Sequence, residues 1–356
     1  MRVAVLVLLL GMLAFGTALA GPRSEAGTQT VAVADSFVRG VGLGLFATDP
    51  DWDYGPLVAE IRARGATDVL LVVNAYQSTR FASDIALRPG SSPSESNVAR
   101  TLRQVRQAGM RAALMPVVRL ETRTPHEWRG VIAPADGLDA WFAAYRRFVM
   151  PLARAAQTEG AVRFVVGSEL SSLEMYQERW EDLIAEVRTT FDGALTYSAN
   201  WDHADEVPFW DSLDEVGLTA YFPLAMGTAR DVSSPAQLAR AWETPRAQIE
   251  ALRARVGKPV LVTEVGYVSQ PNASARPWDD ASGGVVDLRA QQQLYRGFCD
   301  AFAETPGVSG FYVWNWFGVG GPRDRGFTPR GKPAATELTR CFSRDWAARK
   351  TSGNRS

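Results

Sequence analysis

From residue 40 onward the sequence alternates eight times between a short apolar run and a longer amphipathic stretch. The apolar runs are rich in Val, Leu, Phe and Tyr and lack a regular polar face, which favours strands buried on both sides in a parallel sheet. Alternation along the whole chain predicts parallel strands joined by right-handed crossovers. Eight units in about 300 residues fit an α/β fold, a single (β/α)8 TIM barrel, better than an open doubly wound sheet. The predicted strands are Val41–Phe46, Thr67–Asn74, Arg111–Val118, Arg163–Gly167, Ala194–Ala199, Glu215–Tyr221, Pro259–Glu264 and Gly310–Trp316.

The stretches between the strands have helical periodicity. Leu138–Ala156, for example, repeats its aromatic and aliphatic residues at intervals of three and four. The fifth connection, from His203 to Leu213, predicts only a short helical turn. Because no linker interrupts the pattern, we expect one barrel domain over residues 39–346 and a polar tail over residues 347–356. The other predicted helices begin at Pro56 or span Asn97–Ala108, Glu178–Thr189, Pro235–Arg255, Leu288–Phe302 and Ala334–Phe342.

The first residues of the chain predict a targeting segment. Arg2 precedes an apolar run, and the segment closes with Ala18-Leu19-Ala20, a pattern typical of a cleavable secretory signal over residues 1–20. An uncleaved membrane anchor is the alternative, since a single charge precedes the apolar run. We expect cleavage near Ala20, a flexible leader over residues 21–38, and a secreted or periplasmic protein that no longer contacts the membrane.

Composition excludes several classes of function. The 38 Lys and Arg residues nearly balance the 39 Asp and Glu residues, which argues against a nucleic-acid partner. Two histidines and two cysteines leave little material for a metal site. No glycine-rich dinucleotide or phosphate-loop motif follows a predicted strand, so we expect no cofactor. We also expect a monomer. Export would permit a disulfide between Cys299 and Cys341, and two separately buried thiols are the alternative.

Two glutamates stand where reacting groups of such a barrel are expected. Glu169 follows the fourth predicted strand and Glu264 ends the seventh. A carboxylate next to a buried strand is costly unless it is paired or hydrogen-bonded. Each could instead satisfy backbone donors at the start of a helix. Two of them at one barrel mouth predict a catalytic pair.

Amide, aromatic and basic side chains near the other strand ends predict a sugar-binding cleft. Sugar rings stack on aromatic side chains, and their hydroxyls require hydrogen-bond partners. The candidate substrate-binding residues are Asn74, Trp128, Arg129, Asn200, Trp201, Tyr221, Trp314 and Trp316.

Several longer motifs resemble those of glycoside hydrolase family 113, from about Gly65 to Phe342. The resemblance implies a clan A (β/α)8 enzyme that cleaves β-1,4-mannan with retention of configuration. Gly167-Ser168-Glu169-Leu170 is similar to the family's Gly-Thr-Glu-Leu, which implies that Glu169 is the acid/base. Glu264 falls on the family's nucleophile, and Tyr221 on a tyrosine that commonly hydrogen-bonds it. The motifs that carry the resemblance are Ala194-Leu195-Thr196-Tyr197-Ser198-Ala199-Asn200-Trp201-Asp202, Val207-Pro208-Phe209-Trp210-Asp211, Tyr221-Phe222-Pro223-Leu224, Thr263-Glu264-Val265-Gly266-Tyr267 and Trp314-Asn315-Trp316.

One segment departs from the family pattern. Where the family has Lys-Pro-His-Val-Asp, this chain has Met115-Pro116-Val117-Val118-Arg119. Val117 and Arg119 therefore replace a histidine and an aspartate. An Arg119 that points into the cleft would favour an acidic sugar, whereas one that points outward would be a surface group. In either case we expect weaker activity on plain β-1,4-mannan than the resemblance implies.

The sequence therefore predicts an exported, retaining glycoside hydrolase that acts on a β-linked poly- or oligosaccharide, either mannan-like or a related envelope glycan. For this chemistry, Glu169 needs a raised pKa while Glu264 stays ionised. The alternative is a catalytically silent barrel that binds glycan in a cell-envelope polysaccharide system. The presence of both glutamates weighs against it.

Overall fold

The computed structural model describes residues 37–225, 234–281, 284–303 and 305–346. The predicted signal peptide, nearly all of the predicted leader and the polar tail lie outside these ranges. Within them, no helix combines the length and the apolarity that a membrane crossing requires.

Eight parallel strands close into a barrel in which each strand pairs with the next in sequence and β8 pairs with β1. The predicted (β/α)8 fold is therefore confirmed. The connection between β5 and β6 contains a single 3-10 turn, Trp210–Ser212, as expected. The strands are β1 Val38–Gly44, β2 Asp68–Gln77, β3 Arg111–Leu120, β4 Arg163–Ser168, β5 Ala194–Asn200, β6 Glu215–Thr219, β7 Val260–Val265 and β8 Val308–Val313. The helices are α1 Gly55–Ala63, α2 Glu95–Gln107, α3 Leu138–Thr158, α4 Gln177–Arg188, α5 Pro235–Val256, α6 Leu288–Ala303 and α7 Pro333–Phe342.

Local sequence sets the ends of the helices, as α5 illustrates. The Ser234 hydroxyl accepts from the Gln237 amide, and the Gln237 side chain accepts from the Ser234 amide, which forms a capping box. Pro235 occupies the first helical turn, where its missing N–H costs nothing. The helix ends at Gly257, whose φ of 73° suits glycine.

The core has two layers. Between strands and helices lie the large fully buried side chains, among them Trp141, Trp180 and Trp242. Inside the barrel lies a smaller cluster: Val38, Leu70, Val72, Ala113, Met115, Val117, Val165, Leu261 and Tyr312. Because side chains fill the interior, substrate has access to the barrel ends and not to a central channel.

A buried ion pair closes the N-terminal end of the barrel. Arg163 and Glu215 are the first residues of β4 and β6, and Nε of Arg163 lies 2.6 Å from Oε2 of Glu215. Nη1 of Arg163 also donates to the Tyr312 hydroxyl, at 3.2 Å. The two glutamates of the predicted site belong to the opposite, C-terminal end.

Cys299 on α6 and Cys341 on α7 form a disulfide, with their Cα atoms 5.8 Å apart. The structure therefore decides between the two alternatives that the sequence left open. The bond joins the last two helices of the chain, which pack against each other beside β8.

Candidate active site

Glu169 follows a β-bulge at the end of β4. Val165 pairs with Thr196 of β5, but Ser168 pairs with Ser198, so β4 carries one extra residue between the two pairs. A bulge of this kind redirects the side chains that follow it, and bulges are frequent beside active sites. It sets the direction in which the chain leaves β4 at Glu169.

The backbone of Glu169 is held in a left-handed conformation. Its φ is 51°, and no other non-glycine residue in the described ranges has a positive φ. This conformation is unfavourable for a residue with a Cβ, and neighbouring hydrogen bonds must maintain it. The Glu169 amide donates to the Ser198 carbonyl at 2.8 Å, and the Leu170 amide donates to the Tyr197 hydroxyl at 2.8 Å. Backbone strain at this position supports a functional role for Glu169.

The Tyr197 side chain is held in place by a further glutamate, Glu174. Its hydroxyl donates to Oε1 of Glu174 at 2.7 Å, and burial raises the pKa of Glu174 to about 7. Gly167 allows this arrangement, because a Cβ there would lie 2.9 Å from the Trp180 ring and 3.0 Å from the Tyr197 ring. The β4 bulge, Tyr197 and Glu174 therefore act together to hold the backbone of Glu169.

Arg129 binds the Glu169 carboxylate directly. Nη2 of Arg129 donates to Oε2 of Glu169 at 2.5 Å, and its Nε donates to the Ser168 carbonyl at 3.1 Å. Arg129 belongs to a 3-10 turn, Arg129–Val131, in the loop after β3. The loop thereby places a fixed cation on one of the two carboxyl groups.

Glu264 also depends on a bulge. Leu218 of β6 pairs with Val262, but the next residue, Thr219, pairs with Glu264, so Thr263 is skipped. Strict alternation would turn Glu264 to the outer side with Val262, which packs between strands and helices. The bulge turns it instead to the inner side, which it shares with Thr219.

The two oxygens of Glu264 have different surroundings. The Tyr221 hydroxyl donates to Oε2 at 2.9 Å. Oε1 is buried and accepts no hydrogen bond from the described part of the chain. Buried polar atoms without a partner are rare and often mark reactive positions. Tyr221 lies two residues beyond the end of β6, whereas the sequence predicted that it ends the strand.

The two carboxyl groups interact electrostatically, and the pKa of Glu264 is raised, although the sequence predicts that Glu264 stays ionised. Burial raises the pKa of Glu264, the negative charge of Glu169 raises it further, and Arg129 and the Tyr221 hydroxyl oppose the rise. The sequence predicts a raised pKa at Glu169 and an ionised Glu264, whereas in the structure the pKa of Glu264 is raised because its carboxyl group is enclosed.

Several of the other predicted site residues lie at the same end of the barrel as this pair. The Arg129 guanidinium lies 5.9 Å from the centre of the Trp128 ring. Asn200 Oδ1 accepts from the Thr219 hydroxyl at 3.4 Å, beside Glu264. The Trp314 side chain packs on the barrel interior, and Asn74 lines a cavity at the same end.

The structure does not bring Trp201 and Trp316 to the glutamates. Trp316 is fully buried in the outer layer, where its Nε1 donates to Glu60 of α1 at 3.0 Å. Trp201 packs on Phe222 and lines a separate cavity beside α5. Both residues follow strand ends in the sequence, but their side chains face away from the barrel axis.

Two residues that sequence reasoning missed lie at the same mouth. Phe46 and Tyr76 line the cavity that contains Asn74, which has a volume of ≈ 450 Å³. Tyr76 could have been found by extending the period of β2 by two residues from Asn74. Phe46 ended a predicted strand but had no polar group to mark it. Within the described ranges, no three His, Cys, Asp or Glu side chains converge as metal ligands would.

A closed (β/α)8 barrel with two glutamates that interact electrostatically at its C-terminal mouth has the architecture of the clan A glycoside hydrolases. Comparison with known proteins gives the family. The chain belongs to Glycoside Hydrolase Family 113, whose model matches residues 56–323. It is therefore a glycoside hydrolase, and its substrate class is a poly- or oligosaccharide. Among curated protein sequences, none matches the chain.

Solved structures agree with this family. A GH113 β-mannanase from Alicyclobacillus acidocaldarius is 25% identical, with a TM-score of 0.78 over 88% of this chain and 99% of that one. A GH113 β-1,4-mannanase is 23% identical, with a TM-score of 0.75 over 87% of this chain and 100% of that one. A family 5 mannosidase from Rhizomucor miehei shares the fold at 10% identity, with a TM-score of 0.55 over 86% of this chain and 92% of that one.

Proposed function

We propose that this glycoside hydrolase retains configuration and cleaves a β-linked poly- or oligosaccharide by double displacement, with Glu264 as nucleophile and Glu169 as acid/base. The observation that carries the proposal is that the two carboxyl groups have different hydrogen-bond partners. Glu264 has one oxygen bound by Tyr221 and one without a partner, whereas Glu169 is oriented by Arg129 and by its own constrained backbone. A nucleophile needs a free oxygen, and an acid/base needs a fixed direction.

In the first step, Oε1 of Glu264 attacks the anomeric carbon as the bond to the leaving oxygen breaks. Glu169 gives its proton to that oxygen. In the second step, Glu169 takes a proton from water, and the resulting hydroxide displaces Glu264 from the same carbon. The pair must therefore hold one proton at the start, and it must be on Glu169. The Tyr221 hydroxyl favours this arrangement by stabilising ionised Glu264.

The sugar remains part of the proposal. Two similar solved structures are named as β-mannanases, which supports a mannan-like backbone or a related envelope glycan. Asn74, Trp128, Asn200 and Trp314 are the candidates for contacts with it. The Val117 and Arg119 replacements predict weaker activity on unsubstituted mannan.

Export is proposed on two grounds. Residues 1–20 have the pattern of a secretory signal, and the Cys299–Cys341 disulfide is typical of an oxidising compartment. Sequencing the N-terminus of the protein from periplasm or medium should give Gly21. An intact Met1 in the membrane fraction would support the anchor instead.

Substitution of the two glutamates tests their roles. Glu264→Ala should lower kcat by about three orders of magnitude or more, and azide should restore part of it by forming a glycosyl azide of inverted configuration. Glu169→Gln should spare aryl glycosides with good leaving groups more than natural glycans, because they need less protonation. Proton NMR of the first product should show the starting anomer. Near-normal kcat in either variant, or an inverted product, would contradict the proposal.

A further inference from the structure

Arg119 lies on the inner face of β3 and lines a cavity at the barrel mouth, which favours the inward alternative that its sequence position left open. Along β3, Val117 packs in the barrel interior while Val118 packs in the outer layer, so Arg119 shares the inward face with Val117. In the pairing with β2, Arg119 aligns with Tyr76. Both side chains line the cavity of ≈ 450 Å³ at the barrel mouth.

The lengths of β2 and β3 explain how far Arg119 reaches. Each has 10 residues, whereas the other strands have 5 to 7. The wall of the mouth is therefore higher on this side, and Arg119 stands near its upper edge. Arg119 as a whole residue is exposed, and its side chain lines the cavity.

Arg119 differs from the neighbouring arginines because it has no protein partner. Arg88 pairs with Glu121 at 2.8 Å, Arg80 pairs with Glu127 at 2.9 Å, and Arg129 pairs with Glu169. In the described part of the chain, Arg119 makes neither an ion pair nor a side-chain hydrogen bond. Enclosure by the protein lowers the pKa of Arg119, and the charge of Arg129 lowers it further. The charge of Asp280 opposes this effect. Because no carboxylate of the described ranges forms an ion pair with Arg119, its guanidinium can still bind an anionic ligand.

We propose that Arg119 binds an anionic group on the glycan, a carboxylate or another oxyanion, beside the cleavage site; this rests on the proposed function. A guanidinium can only donate, and its planar fork matches a carboxylate or phosphate with two parallel hydrogen bonds. Tyr76, aligned beside it, contributes a ring and a hydroxyl to the same wall. The histidine and aspartate that the family pattern has here would serve neutral hydroxyls, and an aspartate would repel an anion. The preferred substrate is therefore an acidic glycan.

The test uses two polymers that differ in a single group. Poly-β-1,4-mannuronate carries a carboxylate where β-1,4-mannan carries a hydroxymethyl group, and partly sulfated mannan supplies the other oxyanion. The wild type should have a kcat/KM at least about tenfold higher on an anionic polymer than on mannan. Which of the two anionic polymers is preferred identifies the source of the charge. Arg119→Ala should lower kcat/KM on that polymer at least about tenfold more than on mannan, and Arg119→Lys should fall between.

Arg123→Ala is the matched control. Arg123 lies four residues away on an exposed loop and donates to the Glu127 carbonyl. Its loss changes net charge equally and should leave the preference between the polymers intact. Equal loss in the Arg123 and Arg119 variants would show a general charge effect and overturn the proposal. Wild-type cleavage of mannan with no gain on either anionic polymer would overturn it while leaving the glycosidase assignment standing.

Binding separates the proposal from catalysis. Calorimetric titration of Glu264→Gln with mannuronate and sulfated-mannose oligosaccharides should show an affinity that Arg119→Ala reduces by about tenfold or more. If the wild type cleaves no glycan but this loss of affinity is observed, the hydrolytic assignment fails and the anion site stands. Equal affinities with and without Arg119 would overturn the anion site.

Discussion

Glu264 is subject to two opposite requirements. Burial favours its neutral form, but the proposed attack of Glu264 on an anomeric carbon requires the carboxylate. Arg129 and the Tyr221 hydroxyl act in the direction that catalysis needs, against burial and the charge of Glu169. The proposed double displacement needs an ionised Glu264 and one proton on Glu169. The pH range of activity therefore depends on the cation that both groups share.

Arg129→Gln should shift the pH profile of kcat/KM toward higher pH. The Arg129 cation lowers the pKa of Glu264, so its removal should raise that pKa and move the ionisation of the proposed nucleophile to higher pH. The measurement is kcat/KM between pH 4 and pH 9, in steps of about half a unit. Arg146→Gln, which removes a surface pair with Glu186, serves as the control. Superimposable profiles for Arg129→Gln and the wild type would exclude this role.

At the scale of elements, the two bulges decide where both glutamates point. The strands and helices themselves were predictable, because apolar runs and helical periodicity depend on neighbouring residues. The bulges were not, since the pairing of β6 with β7 involves residues far apart in sequence. Strict alternation would have assigned Glu264 to the outer layer. The sequence also placed Trp316 at a strand end, but it did not show that this side chain packs in the outer layer, where its partner Glu60 is far away in the sequence.

Tyr197→Phe tests the support behind Glu169. The variant removes the acceptor of the Leu170 amide and the donor to Glu174, so the left-handed backbone of Glu169 loses one of its constraints. We expect kcat to fall about tenfold or more with little change in KM, because acid/base geometry is needed in the transition state.

Tyr54→Phe is the matched control for that experiment. The Tyr54 hydroxyl accepts from the Ala47 amide at 3.0 Å and is equally buried, but it lies in the loop after β1. The free energy of unfolding of Tyr54→Phe should fall by about as much as that of Tyr197→Phe, without the loss of kcat. Equal kcat values for the two variants would show that Tyr197 has a structural role only.

For the whole molecule, the disulfide is the covalent bond that restrains the unfolded chain. Cys299 and Cys341 are 42 residues apart, and a ring of this size implies a stabilisation of about 4 kcal/mol in the chain-entropy description. The double variant Cys299→Ala/Cys341→Ala should therefore unfold at a lower urea concentration, with activity at low temperature retained. Addition of a reductant should lower the midpoint of the wild type and leave that of the variant unchanged. An unchanged midpoint in the variant would contradict this estimate of its contribution.

The same ring contains all of β8, Trp314 and the loop from Phe317 to Thr328, in which Val319 is exposed. The proposed export would bring the enzyme into contact with proteases, and this loop is one of the accessible places where they could cut. Such a cut would open the backbone but release no fragment, since both new ends remain joined through α6 and α7. The strand that closes the barrel against β1 would keep its neighbours, and the nicked enzyme would migrate as two pieces only after reduction. The disulfide between α6 and α7 would thus keep the barrel closed after a backbone cut in this loop.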